Sequence, residues 1–257
     1  MNAGLNLFSI RTQITGETEF FRAAEKLKAM GYSYLQYSGG PYDADMIARV
    51  SKESGLPVVL THVPMNRILH ETEALMEEHA RFGCRNIGLG AMPPSIIVDA
   101  DGFRRAVEEL NCAGEKMAAA GFRFFYHHHH FEFYQHGGQT VLDYMIGNAP
   151  NVHFTLDTYW LQYGGVDILG AIRRLAGRIG CVHLKDYRIE NKGENGGVSL
   201  APVFAPVGDG TLPFERIIPA MQAAGTEYFL VEQDNAADFP DPFQPVERSI
   251  RYLKKEF

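Results

Sequence analysis

No run of apolar residues in this 257-residue chain approaches the ~20 that a helix needs to cross a bilayer, so no membrane partner is expected. Positive charge is scarce. The 24 Lys and Arg stand against 31 Asp and Glu, a net charge of −7, which argues against the basic surface that a nucleic-acid partner requires. Cysteine is scarce too: Cys84, Cys112 and Cys181 are odd in number, far apart and without a CxxC pair. Buried thiols in a reducing compartment are therefore expected, rather than a disulfide framework or a nucleophile. Met1-Asn2-Ala3-Gly4-Leu5-Asn6-Leu7 has no charged leader ahead of a long apolar stretch, so no signal peptide is expected and a cytoplasmic location is. Low-complexity tracts, linkers and breaks in composition are missing as well, which implies a single domain over residues 1–257.

What is present is an alternation. Short apolar runs at Leu5–Ile10, Tyr32–Tyr37, Pro57–His62, Asn86–Ala91, Arg123–His129, Val152–Asp157, Gly180–Lys185 and Tyr228–Glu232 predict strands. Between them, hydrophobic spacing near 3.6 predicts helices at about 17–30, 43–54, 67–82, 101–120, 139–148, 166–177, 214–224 and 244–256. Gly31, Gly55, Gly121 and Gly225 follow four of these helices and suit the left-handed cap position. Strict strand–helix alternation implies parallel strands with helical crossovers. Eight such units are the number that closes a (β/α)8 TIM barrel, and about 250 residues is its usual length. The open doubly wound sheet is the alternative, but the GxGxxG turn after its first strand is absent.

The most informative segment is Phe125-Tyr126-His127-His128-His129-His130-Phe131-Glu132-Phe133, a strand running out into imidazoles. Alternation along a strand sends His127 and His129 one way and His128 and His130 the other. Strand ends on the C-terminal side of a barrel meet at one mouth, where polar side chains do chemistry. That side carries Thr61-His62 on strand three, His127 and His129 on strand five, and Asp157 on strand six. Strand seven adds His183 and Lys185, and strand eight adds Glu232 with Asp234 two residues on. Such a mixed set suits a divalent cation (Mn, Co, Fe, Zn or Mg); the bland alternative is a set of polar groups bonded to one another and to water. Asp157 can equally cap the next helix. Trp160 and Tyr159 can stack on a sugar or simply pack beneath the mouth. The Gly- and Asn-rich stretch from Tyr187 to Gly210 follows strand seven, where long loops act as lids or as surface decoration.

Several of these segments together resemble one family: Leu7-Phe8-Ser9-Ile10-Arg11, Thr61-His62-Val63-Pro64, Tyr126-His127-His128-His129 with Phe131-Glu132-Phe133, Leu156-Asp157-Thr158-Tyr159-Trp160, Val182-His183-Leu184-Lys185-Asp186, Pro206-Val207-Gly208-Asp209-Gly210 and Val231-Glu232-Gln233-Asp234. They resemble the sugar phosphate isomerase/epimerase family, with its xylose isomerase-like TIM barrel, near inosose dehydratase and the ketose 3-epimerases. The resemblance covers essentially the whole chain. It implies one divalent metal ion bound from strands five to eight, by His127, Asp157, His183 and Glu232. Strand five departs from the ketose epimerases, which carry a glutamate where this chain has His127; His129 is the competing ligand there. This departure resembles the inosose dehydratase branch and relatives acting on keto-sugars and 3-keto-glycosides.

The implied chemistry is isomerisation or epimerisation of a ketose or keto-sugar, by proton abstraction beside a carbonyl through a metal-stabilised enediolate. The alternative from the same intermediate is dehydration or lyase chemistry on an inosose or 3-keto-glycoside. Glu232, His129 and Lys185 are the expected catalytic groups, with His62, Glu132, Trp160 and Tyr37 expected on the substrate. Remoter alternatives are an endonuclease IV-like DNA-repair enzyme, which the acidic charge disfavours, and a non-catalytic sugar-binding barrel. A small sugar is the expected partner, and a homo-oligomer is compatible with the sequence.

Overall fold

A computed structural model describes residues 1–194 and 196–257. Eight parallel strands close into a barrel: β1 (Gly4–Asn6), β2 (Tyr34–Tyr37), β3 (Val58–His62), β4 (Asn86–Leu89), β5 (Arg123–His127), β6 (Val152–Asp157), β7 (Cys181–Leu184) and β8 (Tyr228–Val231). Each pairs with its neighbours in sequence, and β1 pairs with β8 to close the cylinder. The predicted strand–helix alternation and the (β/α)8 barrel are therefore what the chain adopts.

The helices follow the 3.6-residue spacing closely. Glu17–Met30, Ala44–Ser54, Ala100–Ala119, Val141–Asn148, Phe214–Ala223 and Phe243–Glu256 all fall within two residues of the predicted bounds. Gly31 and Gly55 cap the first two with φ of 99° and 67°, donating their amides back to the last turn. The segment expected as one helix at 67–82 is two, Met65–His70 and Thr72–Arg81. Glu71 leaves the helical region between them, and Arg67 spans the break by pairing with both Glu71 and Glu78.

Three expectations shift at strand ends. β1 stops at Asn6, not Ile10, because the Asn6 side chain accepts from Phe8 N (3.2 Å) and starts a 3₁₀ turn over Leu7–Gln13. β5 stops at His127, where its pairing with β6 ends at Thr155, so His128 and His129 lie beyond it. The stretch from Tyr187 to Gly210 contains an antiparallel hairpin, Asp186–Asn191 against Leu200–Ala205; Asn195 within it lies outside the described residues. The base of this hairpin is tied down by Asp186. Its buried carboxylate accepts backbone N–H groups from Tyr187, Gly208, Gly210 and Leu212 at 2.8–3.2 Å. Of the thiols, Cys84 and Cys181 are buried as expected, whereas Cys112 is exposed on the outer helix Ala100–Ala119.

One layer inside the barrel positions everything that follows. Tyr34, Leu60, Phe125, Cys181 and Leu230, from five different strands, pack on one another as an apolar floor. Side chains two residues apart on a strand share a face. Stepping two residues toward the C-terminal mouth from each gives Gln36, His62, His127, His183 and Glu232. The same step that builds the floor builds the polar layer above it.

Candidate metal centre

His127, Asp157, His183 and Glu232 converge on the mouth with one ligand atom each, all within 4.8 Å of one another and all buried. His127 Nε2 lies 3.4 Å from Asp157 Oδ2, and His183 Nδ1 lies 3.7 Å from that oxygen and 2.8 Å from Glu232 Oε2. Ligands on bonds of ~2.1 Å around a tetrahedral ion sit about 3.4 Å apart. The set has that size before anything is added to it.

The surrounding hydrogen bonds aim the lone pairs inward. His127 Nδ1 lies 2.9 Å from the carbonyl of Gly90, which can only accept, so the proton is assigned to Nδ1 and Nε2 is left bare toward Asp157. His183 Nε2 donates to Gln36 Oε1 at 2.7 Å, which frees Nδ1. The other end of the Gln36 amide donates to His62 Nε2 (2.8 Å), and the His62 ring stacks on His127 at 5.4 Å. Gly90 makes room for that stack, since a Cβ there would come within 3.0 Å of His62 Nδ1. Glu232 Oε1 accepts from Asn6 Nδ2 at 2.6 Å, leaving Oε2 toward the centre. His183 Nδ1 and Glu232 Oε2 are both buried without an aligned hydrogen-bond partner. Outer groups that fix tautomer and orientation in this way are characteristic of metal ligands.

The charge balance also fits. Lys185 is almost fully buried, with its ammonium 3.2 Å from Asp157, 3.0 Å from Glu232 and 3.1 Å from Asp234. Three carboxylates less one ammonium leave two negative charges, which a divalent cation neutralises. Burial alone would push both Asp157 and Glu232 up. Lys185 and the imidazoles around each carboxylate outweigh it and hold both well below the usual carboxylate range. Burial pushes Asp234 up to about 6, against the pull of Lys185. Burial would depress His183, but Glu232 and Asp157 raise it to about 9. His127 is depressed by burial and by His183, and is neutral.

A metal must therefore displace a proton from His183 and none from His127. Ion binding at pH 7 is expected to release about one proton, falling away as pH passes 9, and affinity should rise about tenfold per pH unit between 7 and 9. Calorimetry in buffers of different ionisation enthalpy measures this directly; release independent of pH would contradict it.

The expected substrate residues divide. His62 and His129 line the cavity at the mouth, which has a volume of about 220 Å³ and is also lined by Phe8, Ser38, Lys185 and Asp234. The His129 ring lies 4.5 Å from that of His127, and its Nδ1 is buried without a partner. Trp160 stands beside the cavity, 5.3 Å from His129. Asp157 serves two ends at once: Oδ1 accepts from Trp160 N to cap the helix Thr158–Tyr163, while Oδ2 faces the ligand cluster.

Tyr37 and Glu132 are not brought to the mouth. Tyr37 points outward from β2, packs edge-on against Phe20 at 5.2 Å and donates its hydroxyl to Pro41 O. Glu132 is buried in a 3₁₀ turn and folds back, accepting from Tyr126 OH (2.6 Å) and from His129 N (2.7 Å); burial lifts it to about 7. It positions the chain that carries His129. Asn6 and Gln36, not among the expected site residues, are instead what holds Glu232 and His183. The two-residue step from the apolar floor would have found Gln36.

Residues 24–256 match the xylose isomerase-like TIM barrel family. An inosose dehydratase from Geobacillus thermodenitrificans is 33% identical over 116 residues, 42% of this chain and 39% of that protein, so the match spans well under half the relative's length. A sugar phosphate isomerase/epimerase structure from Parabacteroides distasonis superposes with a TM-score of 0.81 at 20% identity, covering 98% of this chain and 93% of that one. The 3-keto-D-glucoside 4-epimerase of E. coli gives 0.69 at 18%, covering 99% of each chain. At these identities the structural likenesses speak for the fold alone.

Proposed function

Because the chain belongs to the xylose isomerase-like TIM barrel family, we propose that it is a divalent-metal-dependent isomerase or epimerase acting on a ketose or keto-sugar. The observation that carries this is the convergence of two imidazole nitrogens and two carboxylate oxygens, each held from behind by a partner that fixes its direction. His127, Asp157, His183 and Glu232 would hold the ion. When bound, it supplies Lewis-acid polarisation of a carbonyl oxygen and offsets the negative charge left by removal of the neighbouring proton.

The chain's own groups do the rest. With four side chains engaged as ligands, His62, His129 and Asp234 are the proton acceptors left lining the cavity among the described residues. A carboxylate lifted toward 6 is suited to take a proton near neutrality and return it. Lys185, which its three carboxylates keep charged, orients a substrate oxygen by hydrogen bonding rather than by giving up its proton. His62 and Phe8 close the opposite wall.

A dehydratase or lyase acting on an inosose or 3-keto-glycoside is the second reading. The observation favouring it is the imidazole of His127 at β5, so that the ligand carboxylates come from β6 and β8 without an opposed partner on β5. The two readings part on one experiment. Metal-loaded protein in deuterium oxide is expected to exchange a carbon-bound proton of a ketose or 3-keto-glucoside, and chelation should abolish the exchange. Exchange into recovered sugar supports isomerisation; appearance of an enone absorbance supports elimination; neither with any keto-sugar would overturn the proposal.

A further inference from the structure

Resting on the reaction just proposed, we infer that the site takes a non-phosphorylated keto-sugar bearing a second, apolar ring, which lies outside the cavity on a strip formed by Trp160, His130 and Tyr163. The cavity is small. About 220 Å³ accommodates a single sugar ring, well under the volume typical of pockets for drug-sized ligands. Any further ring must sit beyond its rim.

The rim is not uniform. Trp160 and Tyr163 are three apart on the short helix Thr158–Tyr163 and share a face. From the cavity wall outward, His129 to Trp160 is 5.3 Å between ring centroids, Trp160 to His130 is 5.1 Å, and His130 to Tyr163 is 5.0 Å. This continuous aromatic path starts at the candidate centre and ends on Tyr163, which is 55% exposed. Phe204, on the hairpin after β7, flanks Trp160 at 6.1 Å and Lys185 at 5.5 Å, so the strip has a side wall. Ring faces in such an arrangement take up apolar rings and the C–H faces of sugars. Two buried polar atoms along the wall, His129 Nδ1 and Trp160 Nε1, have no partner in the protein.

Charge disfavours the phosphorylated alternative. Lys185 is the one cation lining the cavity among the described residues, and three carboxylates already surround it. Arg11, beside Phe8 at the rim, spends Nη1 on the carbonyls of Phe8 and Asp234. A phosphate dianion in the cavity would lie beside Glu232 and Asp234, and the one cation lining it is already shared among carboxylates.

Trp160 is the chain's single tryptophan, so its fluorescence reports on the strip and the adjoining cavity wall. Metal-loaded protein is titrated with phenyl 3-keto-glucoside, methyl 3-keto-glucoside and 3-keto-glucose 6-phosphate. The phenyl compound is expected to perturb Trp160 emission and bind about tenfold more tightly than the methyl compound, with the phosphate weakest. Tyr163→Ala and His130→Ala, both at exposed positions, should each bring the phenyl-to-methyl ratio toward one. Equal binding of phenyl and methyl compounds, tightest binding of the phosphate, or an unchanged ratio in both variants would overturn the inference. Proton exchange in the methyl compound without any phenyl preference would sink the strip and leave the reaction standing. A phenyl-dependent Trp160 signal without exchange in any sugar would do the reverse.

Discussion

Replacing His183 by alanine is expected to empty the centre, with bound metal falling from about one equivalent to less than a tenth and proton exchange dropping at least about 10³-fold. His183 is the hinge of the set, since its Nδ1 faces both Asp157 Oδ2 and Glu232 Oε2. Its loss leaves three ligands, two of them carboxylates that Lys185 can satisfy without a metal. Gln36→Ala should show a graded effect of the same origin. The carbonyl that holds the His183 proton on Nε2 is removed, and loss of such an outer partner typically weakens metal affinity about 10–100-fold. Elemental analysis after dialysis and exchange rates at saturating metal separate the two variants. Stoichiometric metal in His183→Ala would show that the four side chains are a polar cluster and not a binding site.

The parts of this site that could be read from sequence share one property. Asp157, His183 and Glu232 are polar residues closing apolar runs that are unambiguous strands, so the barrel alone brings them together. The parts that could not be read depend on parity or on turns. Tyr34-Leu35-Gln36-Tyr37 is buried at every position, and a strand buried on both faces shows no alternation to say which side chain looks inward. A register irregularity between Leu35 and Gln36 blurs the phase further. The sequence therefore points to Tyr37 at the substrate, whereas its neighbour Gln36 faces the mouth. At β5 the sequence left His127 and His129 competing as ligand. The geometry that puts His127 in the cluster is the end of pairing at Thr155, a property of the neighbouring strand. Glu132 turns on a 3₁₀ bend whose residues, Phe131-Glu132-Phe133, look like more strand. Asn6 ended β1 early by capping Phe8, and the same amide then reaches Glu232 across 226 positions of chain. No local pattern encodes that contact.

Lys185→Met is expected to be the most destabilising change at the mouth in metal-free protein, and metal should largely reverse it. Among the described residues the ammonium is the one basic group paired with the Asp234 carboxylate, and it shares Asp157 with His127 and His183 and Glu232 with His183. Removing one partner of a buried ionic group typically costs about 3–5 kcal/mol, because the remaining charges stay buried and unpaired. For a chain of this size that corresponds to a fall in Tm of roughly 6–20 °C. A divalent ion placed among the same carboxylates restores the balance, so the variant should gain more in Tm from added metal than the wild type does. The pH dependence follows the same logic. Without Lys185, Asp234, already lifted to about 6 by burial, loses the group that pulls it down and rises further above its unfolded value. Its contribution is then fullest below the unfolded carboxylate range and lost as pH rises through the raised value. In the wild type, Asp157 and Glu232 are held well below the ordinary range, so their contribution is present above it and lost only in stronger acid. Metal-free Lys185→Met should therefore recover stability between pH 8 and 5 more steeply than the wild type, as followed by thermal melts in chelator. A variant whose Tm matches the wild type across that range, with or without metal, would mean that the three carboxylates are neutral in the fold. The centre would then have no charge for a cation to answer.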